Sequence, residues 1–301
     1  KRLVEIDLYN IAARSPEALA EMSERSYRER VRYAAEKVRF SGTKIVMLTG
    51  PSASGKTTSA HKLAEELIRQ GTPAHVVSLD NFFRGAEFYP RMPDGTLDYE
   101  NPDTMDLPLI RQCLRELSET GKTVLPIYDF TSEKRSDATE PVDLQGGVCI
   151  VEGIHALNDD IAGPHPEAAK LYISARSNVN DGAALRFKGT WMRLTRRAVR
   201  DYSFRGTGVA DTLEMWANVR RGEKLYISPY KNRADIIFDS SLPYEVSVMK
   251  NFALPLLQAV PEENTRRGEL LELIEAFQWF EPIDPELVPV DSLLREFIGG
   301  G

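Results

Sequence analysis

Nine consecutive residues, Gly50-Pro51-Ser52-Ala53-Ser54-Gly55-Lys56-Thr57-Thr58, form a glycine-rich loop of the kind that wraps phosphate. A run suited to a buried strand, residues 44–49, precedes them. A helical pattern follows, with Ala60, Leu63, Ala64, Leu67 and Ile68 on one face until Gly71 stops it. Strand, loop and helix in that order commit the chain to an α/β fold with the loop at a strand's carboxyl end.

Each residue type in the loop has a chemical reason. The glycines let successive N–H groups turn inward toward phosphate oxygens, and the helix that follows adds the positive end of its dipole. Lys56 is placed to reach β- and γ-phosphates, and the Thr57 hydroxyl can ligate the magnesium that bridges them. The expected cofactors are therefore ATP and Mg2+, cradled by Gly50, Ser52, Ala53, Ser54, Gly55, Lys56, Thr57 and Thr58.

Composition narrows the class. A chain of 301 residues, 42% hydrophobic, can bury a full core, and its formal charge of −7 argues against a general nucleic-acid or anionic-membrane binder. No apolar stretch reaches membrane-spanning length and no signal peptide is visible, so a cytoplasmic location is expected. Cys113 and Cys149 fall in a helical and a strand pattern and read as buried thiols. The histidines, His61, His75, His155 and His165, lack metal-ligand spacing. The first residue is Lys1, consistent with a piece of a longer chain.

Further β-rich runs are expected at 74–79, 123–128, 148–151, 170–174 and 235–238, with a helix over 107–120 ended by Gly121. Apolar runs alternating with helices predict a three-layer αβα fold around a mostly parallel sheet. The expected organisation is a helical extension over 1–40, started by Ser15-Pro16, then a core over 41–240. An arginine-rich lid falls at about 186–210 in that core, and a helical, Pro-interrupted extension completes the chain over 241–301.

Two carboxylates fall where that geometry makes them useful. Asp80 closes the second strand and Glu152 closes the run 148–151, so both are expected at the sheet's carboxyl edge beside the loop. One could take a proton from an attacking hydroxyl, and the other could hold magnesium through water. Positive charge gathers in Arg193, Arg196, Arg197, Arg200 and Arg205. Arg193, Arg197 and Arg200 are spaced to share a helix face, which suits a lid over a triphosphate.

Several motifs in order resemble the uridine kinase and phosphoribulokinase group of P-loop kinases. Besides residues 50–58 they are Leu79-Asp80-Asn81-Phe82-Phe83, Asn101-Pro102-Asp103, Pro126-Ile127-Tyr128-Asp129-Phe130, Val151-Glu152-Gly153-Ile154, the arginine segment, and the run from Pro229 to Asp235. The resemblance spans roughly residues 42–240. It implies that Asp80 is the base on the acceptor hydroxyl, that Thr57, Glu152 and Asp80 serve magnesium, and that Arg197, Arg200 and Arg205 clamp phosphates. It also places Phe83, Glu100, Tyr128 and Glu133 against the acceptor. Where the group has a base-contacting histidine this chain has Glu133. Thr207 and Met215 stand in place of an arginine and a glutamine, and Glu100 in place of a ribose-binding aspartate. Uridine and cytidine are therefore not expected to be the preferred acceptors. The end of the chain, 292–300, is similar to that of bacterial proteins in which such a kinase half follows a threonyl-tRNA-synthetase-like region. Alternatively, this tail covers the core or joins two subunits as a homo-oligomer.

These observations together predict an ATP-dependent kinase acting on a hydroxyl of a nucleoside. The alternatives are a kinase of a non-nucleoside polyol, sugar phosphate or pantothenate-like alcohol, and a regulatory ATPase. No Asn-Lys-x-Asp run favours a GTPase.

Overall fold

The computed structural model describes residues 3–130, 132–175 and 178–301. The chain begins with β1 (Leu3–Glu5), α1 (Ile6–Ala13) and α2 (Pro16–Ser41), followed by β2 (Ile45–Thr49), α3 (Lys56–Arg69) and β3 (Ala74–Ser78). Next come α4 (Leu107–Thr120), the hairpin strands β4 (Lys122–Asp129) and β5 (Lys134–Asp143), β6 (Val148–Glu152), α5 (Asp159–Ala162) and β7 (Ala169–Ser174). The short strands β8 (Asn178–Asp181) and β9 (Ala184–Phe187) lead to α6 (Gly189–Phe204), α7 (Val209–Gly222) and β10 (Ile236–Asp239). Helices α8 (Glu245–Gln258), α9 (Arg267–Gln278) and α10 (Arg295–Ile298) complete it.

The central sheet has the order β10-β7-β2-β6-β3, and every pairing in it is parallel. Its strands alternate between two cores. Val46 and Leu48 of β2 join one apolar cluster with α2, α3, α6 and α8, while Ile45 and Met47 join another with α4. Period-2 alternation with both faces covered is what makes this a three-layer αβα fold. Strand β2 lies between β6 and β7, so the order reverses at the loop that follows it, where such sheets open a crevice.

Local signals account for most boundaries. Pro16 opens α2 at its first turn and Gly42 closes it with φ +68°, and Gly121 closes α4 with φ +74°. Both cysteines are buried free thiols in the α4 cluster. Three expectations need correction. Residues 3–5 form a strand paired parallel to β8, so the amino-terminal segment is not helical throughout. The run 123–128 is not in the main sheet, because β4 pairs antiparallel with β5, whose polar, exposed residues gave no apolar run to read. Strand β3 ends at Ser78, and Asp80 sits in the 3-10 turn Leu79–Phe82 instead of closing the strand. Both extensions bury apolar side chains, including Tyr27, Leu273 and Phe297, in the same cluster as β2 and α3. Among the described residues, no helix is long and apolar enough to cross a membrane.

Candidate active site

The loop after β2 is held from outside, and the holders come from α6 and the turn after β10. Arg193 donates to the Ser52 carbonyl (3.1 Å), Arg196 to the Ala53 carbonyl (3.4 Å), and the Ser240 hydroxyl to the Ser54 carbonyl (2.5 Å). With three consecutive carbonyls tied outward, the loop backbone is fixed. Ala53, at φ +56°, takes a left-handed conformation that a non-glycine residue adopts only when its surroundings impose it. Arg193 and Arg196 are themselves buried (3% and 0% exposed) and paired with Glu223 and Glu245. Five arginines facing a triphosphate is therefore a correction. Arg193 does not share a free face with Arg197 and Arg200, because two of the five cations brace the loop. Helix α6 is likewise packed in the core through Met192, Leu194, Ala198 and Val199, and only one side of it is available to a ligand.

That side faces a cavity of about 590 Å³ lined by Ser52, Ala53, Gly55, Lys56, Thr57, Asp80, Phe83, Tyr89, Tyr99, Glu100, Tyr128, Phe130, Glu133, Arg197, Arg200, Phe204, Arg205 and Glu296. The remaining expected loop residues do not line it: Gly50 and Ser54 belong to the turn after β2, and Thr58 lies in the first turn of α3. Arg197 donates to the Ser52 hydroxyl (2.8 Å). One buried carboxylate, Asp201, then organises the cationic face. It lies 3.3 Å from Arg197 Nε, 2.7 Å from Arg200 Nη2 and 3.7 Å from Arg205 Nε. Burial, with the Arg200 charge next, lowers the Arg205 pKa.

At the sheet edge, Glu152 is 2% exposed and its Oε1 accepts from the Ser78 hydroxyl (2.8 Å) and, at 3.4 Å, from the Thr57 hydroxyl. Its other oxygen, Oε2, is buried with no hydrogen-bond partner. Burial, reinforced by the Asp80 charge, raises the Glu152 pKa, and Lys56 opposes the rise. An orphaned carboxylate oxygen beside a threonine hydroxyl and a second carboxylate is an all-oxygen donor set that fits magnesium. Among the described residues no group of three or more His, Cys, Asp or Glu could hold a metal on its own.

Glu100 also lines the cavity. Its Oε2 is buried and unpartnered, and burial raises its pKa to about 7 against the pull of Arg197 and Lys56. A Cβ on Gly222 would stand 2.2 Å from the Glu100 Cβ, so the glycine that ends α7 is what admits this side chain. His155, 1% exposed, packs edge-on to Tyr226 with centroids 6.4 Å apart, and burial lowers its pKa to about 4. Lys56 has no ion-pair partner among the described residues, yet its charge acts on Glu152, Glu100 and His155. Of the three altered base-reading positions, only Glu133 lines the cavity, and neither Thr207 nor Met215 does. Sequence reasoning missed Asp201, Ser78, Ser240 and Glu296. Asp201 alone had a signal, an acid set among arginines at helical spacing.

The model of the Phosphoribulokinase / Uridine kinase family matches residues 45–247, which span the loop, both sheet-edge carboxylates and the arginine helix. The chain belongs to this family. It is 29% identical over 208 residues to a uridine kinase of Lactobacillus johnsonii, covering 68% of this chain and 90% of that protein. It is 30% identical over 196 residues to a uridine kinase of Borrelia turicatae, covering 64% of this chain and 85% of that one. A solved structure described as a possible uridine kinase from Bacillus stearothermophilus superposes with a TM-score of 0.51 at 19% identity. That superposition covers 70% of this chain and 98% of the other, and it supports the fold. The family match ends three residues into α8, so the segment bearing Glu296 lies outside it.

Proposed function

We propose that the protein transfers the γ-phosphoryl group of ATP to a hydroxyl of a small acceptor, a nucleoside or a similar polyol. The reading is carried by one observation. Lys56 of the loop, the Asp80 carboxylate, three arginines and an aromatic wall converge on a single cavity at the strand ends. The loop amides and Lys56 bind the triphosphate, and Arg197, Arg200 and Arg205 offset the charge that spreads over the transferring group. Thr57, Glu152 and Asp80 would hold magnesium, which when bound supplies positive charge to the β- and γ-phosphates. Asp80 takes the acceptor hydroxyl's proton as that oxygen bonds to the γ-phosphorus and the bond to ADP breaks. Phe83, Tyr128, Glu100 and Glu133 orient the acceptor. The altered Glu100 and Glu133 leave a sugar, sugar phosphate or pantothenate-like alcohol as the second reading.

The test is acceptor-dependent ADP release by the purified chain with magnesium ATP across a nucleoside and polyol panel, run beside Asp80→Asn. Loss of a general base typically costs about 10²–10⁴-fold in rate. Transfer at the wild-type rate in Asp80→Asn would remove it as the base. Hydrolysis indifferent to every acceptor would instead favour an ATPase.

A further inference from the structure

The same cavity carries a cluster of aromatic rings that is partly open to solvent, with Tyr99 and Phe130 more than half exposed. Phe83 stands 6.3 Å from Tyr89, 5.8 Å from Tyr128 and 6.4 Å from Phe130, while Tyr89 packs 5.6 Å from Tyr99 and Tyr128 packs 5.0 Å from Phe130, all between ring centroids. Glu133, itself exposed, lines the same cavity. It has φ +51°, a left-handed conformation that is costly for a residue with a side chain. Among the described residues no basic group pairs with it. The cavity's cations are engaged at the other end: Arg197 with the Ser52 hydroxyl of the loop, Arg200 and Arg205 with Asp201, and Lys56 acting on Glu152 and Glu100. The Glu133 charge is felt instead by Tyr89 and Tyr99, whose hydroxyl pKa values are raised chiefly by burial and further by that carboxylate.

Ring faces carry negative potential, and an ionised carboxylate only accepts hydrogen bonds. A carbonyl edge against Glu133 would oppose lone pair to lone pair, whereas an amino or ammonium group satisfies both the carboxylate and the rings. We infer that the acceptor carries, at the end remote from its reacting hydroxyl, a nitrogen group presenting N–H donors or positive charge, bound between these rings and Glu133. This rests on the kinase reading for the position of the hydroxyl, and it deepens that reading by naming a substrate class. Two sources share the chemistry, an amino-bearing nucleobase and an alkylammonium or amino-sugar group.

The test uses the full chain saturated with magnesium and a non-hydrolysable ATP analogue, titrated calorimetrically with shape-matched pairs. Cytidine against uridine and adenosine against inosine exchange an amino edge for a carbonyl. Choline against 3,3-dimethylbutan-1-ol exchanges charge for neutrality. We expect the nitrogen-bearing member to bind at least about tenfold more tightly in one kind of pair, and which kind identifies the source. In Glu133→Gln the preference should fall below about threefold, with the analogue's own affinity confirming an intact fold. Equal or reversed preference in every pair, binding by none of the probes, or a preference that survives Glu133→Gln overturns the inference. Transfer is read separately by ADP release, so failure of the kinase reading leaves the binding preference measurable.

Discussion

The Thr58 hydroxyl donates to the carboxylate of Glu296, which ties the end of the chain to the phosphate loop. The same segment sets Leu293 against Gly55, where an added Cβ would meet the leucine Cδ1 at 2.6 Å, and Gly299 against Phe204. Glu296 thus faces the cavity that Lys56 and the phosphate loop line, and its charge adds to the raised pKa of Glu152. A carboxylate at that position repels bound phosphate. Replacing it by Glu296→Gln keeps the reach to Thr58 and removes the charge, and should tighten binding of a magnesium ATP analogue about threefold to tenfold, less at high salt. Calorimetric titration at two ionic strengths checks this. Weaker binding in the variant would mean that the carboxylate assists the nucleotide.

Lys56 has a different status, because among the described residues none forms an ion pair with it. Lys56→Ala should lower nucleotide affinity by about 10²-fold, yet change unfolding free energy by no more than about 0.5 kcal/mol. Binding and urea unfolding measured on the same preparation separate the two effects. Unchanged affinity would dismiss the loop as the nucleotide site.

Asp201 does not itself line the cavity, yet three arginines that do are held by it. Asp201→Asn should loosen them and lower kcat about 10–100-fold, with a smaller rise in KM for ATP, and should cost about 1–3 kcal/mol of stability because the largely buried Arg197 and Arg200 lose their carboxylate. Steady-state kinetics checks the first part and denaturant unfolding the second. A variant with unaltered kcat would make Asp201 a purely structural anchor.

What the sequence revealed and what it hid follow from the range of the forces involved. The loop, α3, α4 with its Gly121 stop, and the strands of the parallel sheet were legible because apolar period and glycine punctuation are local. So was the placing of Asp80, Glu152 and the loop on one edge, since parallel strands put their carboxyl ends together. The hairpin of β4 and β5 was not legible, because β5 is held by backbone pairing to β4 and buries almost nothing. The division of the arginines was hidden for another reason. Arg193 and Arg196 are turned inward by Glu223 and Glu245, 30 and 49 residues further along, and no helical spacing encodes that. The return of residues 293–299 to the loop is likewise a tertiary event, from which the apolar pattern of the tail yields only burial.

Glu100 and His155 give the protein two opposed pH dependences inside one site. Folding raises the Glu100 pKa from an ordinary value of 4.5 to about 7, so the folded protein holds that proton more tightly than the unfolded chain. Where the native state binds more protons, stability falls as pH rises, here between about 4.5 and 7, and the full cost persists above. His155 runs the other way. Its pKa falls from 6.5 to about 4, so the unfolded chain takes up the proton first and stability is lost as pH drops through that window. Glu100→Gln should therefore be more stable than the parent protein at pH 8 by about 1–3 kcal/mol. The gain should shrink toward zero near pH 4.5, leaving the acid loss from His155 in full view. Urea unfolding of both proteins at pH 4.5, 6 and 8 decides it. Parallel curves with a constant offset would show that the Glu100 carboxyl ionises as readily in the folded protein as in the open chain.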